Sequence, residues 1–205
     1  MTIIFQHFIV LLMTKTKRIT NRDVVLQTAT NLFLTKGYSA TSMDEIVHAS
    51  TVSKTNIYYY FKSKEELLSA ILDELIQTYT QLMQDIAARS DLCVQERFNL
   101  FYQSITSTEA SSLAGCPFLT LYTQMPQEAQ ELRRKVGLFF QDQIHLVNEL
   151  LLEGVRTGEF SPNLPTKAVA GLLISTLEGA LFLQHANQDP ALLGQTLTTL
   201  VHLLK

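Results

Sequence analysis

Apolar positions recur at helical spacing along almost the whole chain, and alternation of strand type is nearly absent. From about Thr20 to Lys36, Val25, Ala29, Leu32 and Phe33 fall at i, i+4, i+7 and i+8, one stripe of an amphipathic helix. Gly37 follows, where a left-handed cap is expected. Two short helices come next. The first opens at Thr41 or Ser42, either of which can cap it, and carries Met43, Ile46 and Val47 on one side. After a Thr51-Val52 turn, the second runs from Lys54 to Phe61 with Ser53 as its cap. It buries Ile57 and Phe61 and points Lys54, Thr55, Asn56, Tyr59 and Tyr60 elsewhere. So short a pair cannot stand alone, and its second helix has more hydrogen-bonding side chains than its length requires. The pattern predicts a helix-turn-helix whose second helix enters a DNA groove.

Beyond it the pattern stays helical. Ser63 and Glu66 form a capping-box signature ahead of Leu67, Leu68, Ile71, Leu72, Leu75 and Ile76, predicting a helix to Ala88. A helix from Val94 to Thr108 groups Phe98, Phe101, Tyr102 and Ile105. Gly115-Cys116-Pro117-Phe118 then interrupts, and Pro117 suits the first turn of a short helix ending at Met125-Pro126. A longer helix is expected from Gln127 to Thr157. Two more, Lys167 to Ala186 and Pro190 to Lys205, carry almost no charge; Lys167, Glu178, Asp189 and Lys205 are all there is from 166 onward. Helices that are apolar all round need cover on more than one side. A homodimer supplies it, with Gly171, Ile174, Leu177, Leu181, Leu197, Leu200 and Val201 as interface candidates. The fold class read from this pattern is all-α, with a helix-turn-helix domain at 14–63 and a helical body at 64–205. Residues 1–13 read as an over-extended start, with Met13 the natural initiator.

Composition changes the picture in one respect. The net charge of −3 looks wrong for a DNA binder until it is divided. Residues 14–70 carry eight Lys and Arg against five Asp and Glu, whereas residues 71–205 carry eight against fourteen. A basic head on an acidic body suits a protein that presents one end to phosphates. Lys15, Lys17, Arg18 and Arg22 lie where an arm could reach phosphate or the minor groove. The two cysteines, Cys93 and Cys116, have no CxxC spacing and suggest neither disulfide nor metal site, so a reducing, cytoplasmic location is expected. The apolar run at 1–13 is shorter than the roughly 20 residues that span a bilayer, and no membrane partner is expected.

Phe33, Gly37-Tyr38, Thr41-Ser42, Ile46-Val47, Val52-Ser53, Ile57-Tyr58, Tyr60-Phe61, Ser63-Lys64-Glu65 and Leu67 together resemble the TetR family of transcriptional repressors. The chain departs from the family pattern at Thr51 and Thr55, where Gly is common; a β-branched residue resists φ > 0, so a strained or altered turn is expected. In the body, Gly115-Cys116-Pro117-Phe118 and Glu178-Gly179-Ala180-Leu181-Phe182 resemble elements of one subclass of that family. The resemblance implies about nine helices, a dimer through the eighth and ninth, and a ligand cavity among the fourth to eighth. It also implies repression of an operator relieved by a small-molecule effector, with no other cofactor.

Carried onto this chain, the resemblance implies that Thr41 and Ser42 hold a phosphate at a helix N-terminus. Lys54, Thr55, Asn56 and Tyr59, with Ser53 before them, would face base edges. Tyr58, Tyr60 and Lys64 would contact the DNA backbone. Phe101, Phe118, Tyr122, Phe139 and Phe140 form an aromatic set able to line a cavity, with Cys116, His145 and Glu178 as polar candidates. Cys116, beside a helix N-terminus, permits an alternative in which a reactive thiol is the sensor. An enzyme using Cys116 and His145 lacks an acidic orienting partner and leaves the helix-turn-helix unexplained. A body with a vestigial DNA-binding head is the remaining alternative.

Overall fold

The computed structural model describes residues 19–106 and 115–203. Nine helices and no strands occur among them: α1 (Asn21–Thr35), α2 (Met43–Ser50), α3 (Lys54–Tyr60), α4 (Lys64–Ala87), α5 (Val94–Thr106), α6 (Pro117–Gln124), α7 (Gln130–Thr157), α8 (Thr166–Asn187) and α9 (Leu192–Leu203). Residues 1–13, Arg18 and the side chain of Val201, all named above, lie outside what is described.

Local capping sets where the first four helices begin. The Thr20 side chain accepts from the Asp23 amide while the Asp23 carboxylate accepts from the Thr20 amide, a complete capping box. Ser42, rather than Thr41, caps α2, accepting from Glu45 N at 3.1 Å. Ser53 caps α3 through Asn56 N. At α4 the predicted box is displaced by one residue: Ser63 Oγ accepts from Glu66 N, but the Glu66 carboxylate accepts from Lys62 N, not from Ser63 N. The inner stripe of α1 is also wider than expected, because Leu26, Thr30 and Leu34 are buried beside Val25, Ala29 and Phe33.

Thr51 ends α2 with φ 57° and ψ 10°, so the turn keeps its left-handed form despite the missing glycine. A β-branched residue there costs about 1 kcal/mol. Thr51→Gly is therefore expected to raise the unfolding free energy by about 0.5–1 kcal/mol in denaturant titrations. A loss of stability would show that the Thr51 hydroxyl, which donates to Ser50 O at 2.7 Å, outweighs the strain.

The chain forms two compact units. The first runs to Thr78 and takes in residues 117–136, and so extends well beyond the 14–63 region. Within it α1 contacts α2, α3 and α6. Phe33, Ile46, Ile57, Leu67, Leu68, Phe118 and Leu121 are among its most deeply buried side chains. The second unit comprises residues 79–116 and 137–205. One cluster there joins Met83, Val94, Val147, Leu151, Phe160 and Ala170; another joins Leu177, Ala180 and Leu193, with Phe101, Tyr102 and Leu181 packed against it. Arg97, 4% exposed, ties this unit together from within. Its guanidinium donates to the carbonyls of Ala87, Arg89 and Leu92 and, bidentately at 3.0 Å, to Glu153 of α7.

Candidate nucleic-acid interface and effector cavity

Helix α3 has one buried residue, Ile57, around which the rest of its surface is available. Phe61, directly after it, is 2% exposed and seals the same side. Lys54, Thr55 and Tyr59 are exposed and Asn56 half-buried, so four side chains able to read base edges share the outer surface of a short helix. Tyr59 is 73% exposed, and its ring meets Tyr60 edge-on at 5.2 Å. Lys54 Nζ lies 2.7 Å from Asp44 Oδ1 and 5.9 Å from the Tyr58 ring. Both partners of that pair are exposed, so it holds the lysine only weakly and leaves it able to exchange Asp44 for phosphate. Arg22 is stacked over the Phe61 ring at 5.5 Å.

Two residues expected to touch phosphate do something else. Thr41 is 1% exposed; its hydroxyl donates to Gly37 O at 2.8 Å, so the hydroxyl expected on phosphate is buried, and Ser42 alone presents one there. Lys64 turns its ammonium toward the α1–α2 turn, donating to Tyr38 O at 2.9 Å and Thr41 O at 3.0 Å over the Tyr38 ring. Burial there lowers its pKa from the ordinary lysine value. It braces the turn from inside. The spacing of Lys64 gave no hint of this, because its partners are backbone carbonyls far away in sequence.

The second unit contains an apolar cavity of about 800 Å³, its open mouth included, between α4, α5, α7, α8 and α9. Phe98, Phe101, Leu150, Ile174, Leu177 and Leu197 dominate its wall, with Asn99, Tyr102 and Thr198 as its neutral polar points. Of the eight ligand candidates only Phe101 lines it. Phe118 and Tyr122 belong instead to the first unit, where Phe118 is core and Tyr122 stacks with Arg133 at 4.8 Å. His145 is on the exposed face of α7. Phe139 and Phe140 meet edge-on at 5.3 Å but are not in the cavity wall. Three of the dimer candidates, Ile174, Leu177 and Leu197, are part of this wall, and Leu181 packs inward against Leu177 and Leu193. Leu177 is buried and the other three are half-buried, and their spacing alone could not say what covers them.

Cys116, which is buried, and Glu178, which is half-buried, meet in a separate cluster with the half-buried Tyr79. The Cys116 thiol donates to the Glu178 carboxylate. Burial raises the Glu178 pKa, with the thiol pulling the other way, and burial first, then Cys116 and Glu178, pushes the Tyr79 hydroxyl up. A buried thiol beside a carboxyl group is the reverse of the accessible, cation-flanked cysteine that a thiol sensor needs. Glu178 Oε2 is buried and has no hydrogen-bond partner among the described residues. Because the folded pKa lies above the ordinary 4.5, the contribution of Glu178 to stability is full below that value. It is lost as pH rises through the raised one. Glu178→Gln should thus unfold like the wild type in mild acid and be more stable by on the order of 1 kcal/mol at neutral pH. Parallel melting-temperature profiles for the two proteins across this range would contradict it.

Residues 25–71 match the profile of the bacterial regulatory proteins, tetR family. Residues 96–200, more than half of the chain, match the tetracyclin repressor-like C-terminal domain. The HTH-type transcriptional repressor DhaR of Mycobacterium sp. (strain GP1) is 22% identical over 183 residues, 89% of this chain and 91% of its own. Among solved structures, regulatory protein TetR from Rhodobacter sphaeroides aligns with a TM-score of 0.79 at 20% identity, over 89% of this chain and 97% of that one. The transcriptional regulator FadR from Bacillus subtilis, solved in complex with stearoyl-CoA, aligns with a TM-score of 0.71 at 19% identity, over 88% and 96%. Identities this low speak for the fold. The two profiles, one on the helix-turn-helix and one on the helical body, speak for the family. This chain belongs to the TetR family, whose members are DNA-binding transcriptional regulators and not enzymes.

Proposed function

We propose that the protein is a dimeric, cytoplasmic repressor that leaves its DNA operator when an apolar small molecule occupies the cavity of the second unit. The observation that carries this reading is the presence, in one chain, of an outward-facing recognition helix and an apolar cavity walled by five helices. Among the described residues the cavity has no cation free to hold a charged ligand: Arg97 touches it, but its guanidinium is already committed to three carbonyls and Glu153. Dispersion and desolvation would therefore dominate binding, with Asn99, Tyr102 and Thr198 orienting a neutral group. The stearoyl-CoA complex of the Bacillus subtilis regulator supports an effector with a long apolar part. The meeting of Cys116 with Glu178 supports the subclass reading, since it joins the Gly-Cys-Pro-Phe and Glu-Gly-Ala-Leu elements.

The dimer is assigned to the outer faces of α8 and α9. Leu172, Phe182 and Leu183 on α8 and Leu203 on α9 are exposed, at 54%, 60%, 47% and 74%. Gly179 lies on the same α8 stripe as Leu172 and Leu183, and a Cβ added there would meet nothing within 4 Å. An apolar stripe with a small residue at its centre suits close helix packing between copies. By length and composition α8 could also cross a membrane, with mean hydropathy 1.4 over its most apolar window. Self-association covers the same surface without one.

The chain has no tryptophan, so Phe98→Trp places a single reporter in the cavity wall. Apolar compounds that release the protein from DNA should shift or quench this emission at the same concentrations. Compounds that release DNA while leaving the emission unchanged would place the effector elsewhere.

A further inference from the structure

The turn between α1 and α2, residues 36–42, sets where α2 starts and hence how the helix-turn-helix sits. Several of its polar backbone groups find partners within the helix-turn-helix region. Gly37, at φ 104°, donates its amide to Leu32 O. Gly37 O accepts from the Thr41 hydroxyl, Tyr38 O from Lys64 Nζ and Thr41 N, and Thr41 O from Lys64 Nζ. The Tyr38 amide has a different kind of partner. It donates at 2.7 Å to the side-chain carbonyl of Gln124, 86 residues later, at the last position of α6. The same amide oxygen lies 3.5 Å from where a Cβ on Gly37 would be, an ordinary contact, so it is the φ of 104° and not this approach that calls for glycine. Helix α6 belongs to the first compact unit and contacts α1.

We propose that Gln124 is a positioning residue for DNA recognition, holding the α1–α2 turn and through it Ser42 and the start of α2. The inference rests on the DNA-binding reading of the first unit. Without the Gln124 acceptor, the part-buried Tyr38 amide must find water or move, and the turn loosens. The effect falls on geometry, not on charge. It should weaken binding to a matched site, where register matters, more than binding to random DNA, where phosphate attraction dominates.

The test compares the wild type, Gln124→Met, which keeps the volume but loses the acceptor, and Gln124→Glu, which keeps the acceptor. The probes are a duplex selected from random DNA by the wild type and an unselected duplex of equal length. The readouts are the ratio of the two affinities, the melting temperature, and hydrogen exchange at the Tyr38 amide. A charge at 124 acts on both duplexes alike and cancels in the ratio. Gln124→Met should lower the ratio about 10-fold, expose the Tyr38 amide to exchange and leave the melting temperature within a few degrees. Gln124→Glu should restore both the ratio and the protection. An unchanged ratio in Gln124→Met, or equal loss in both variants, overturns the proposal. A wild type that selects no duplex overturns the DNA-binding reading and this proposal with it, whatever the exchange data show.

Discussion

Replacing Arg97 with alanine should lower the unfolding free energy by about 3–5 kcal/mol, enough to leave the second unit unfolded or nearly so at growth temperature. The residue is buried, and its loss strips hydrogen bonds from three backbone carbonyls at the end of α4 and the α4–α5 connection as well as from Glu153. Glu153 keeps some access to water, at 31% exposure, so the stranded carboxylate accounts for only part of the loss. Lysine should rescue partially. It restores the charge but cannot reproduce a planar fork that reaches Glu153 bidentately and the carbonyls at once. Denaturant titrations of the wild type, Arg97→Ala, Arg97→Lys and Arg97→Ala with Glu153→Gln check this. The double variant should recover part of the loss. A cost below about 1 kcal/mol for Arg97→Ala would mean that the cluster is an ordinary surface ion pair.

The second large effect concerns recognition. Tyr59→Ala should cost about 10- to 100-fold in affinity for a selected duplex, while random-sequence affinity and melting temperature stay close to the wild type. The separation is expected because the Tyr59 ring is largely in solvent, resting edge-on against Tyr60. Lys54→Ala should behave differently, weakening both kinds of binding and flattening the dependence on salt. Competition gel shifts at two salt concentrations distinguish the pair. Equal losses on both duplexes for Tyr59→Ala would turn it from a reader of bases into a backbone contact.

The helix-turn-helix was legible because its signals are local. Caps at Ser42 and Ser53, the buried Ile46, Ile57 and Phe61, and the polar surplus on α3 all lie within one stretch of about 20 residues. What the sequence could not show depends on contacts across long separations. The inward turn of Lys64 needs the carbonyls of Tyr38 and Thr41, and the role of Gln124 needs the Tyr38 amide. The aromatic set divides between the two units for the same reason. Phe101 and Phe118 look alike in sequence, but α6 packs with the first unit, so Phe118 is part of that unit's core while Phe101 lines the cavity of the second. On α8 and α9 periodicity found that both faces are apolar. It could not tell Leu177, which faces its own core, from Leu172 and Phe182, which face outward.

The central claim, that the first unit binds a particular DNA sequence, is most directly tested by a gel shift with the DNA upstream of the protein's own gene. It should be run against excess random competitor at near-physiological salt, with selection from random duplexes alongside. The account predicts a discrete complex that survives competitor, tightens steeply as salt falls and is lost in Tyr59→Ala. No specific complex on either the upstream DNA or any selected duplex, from a protein that is folded, would contradict it.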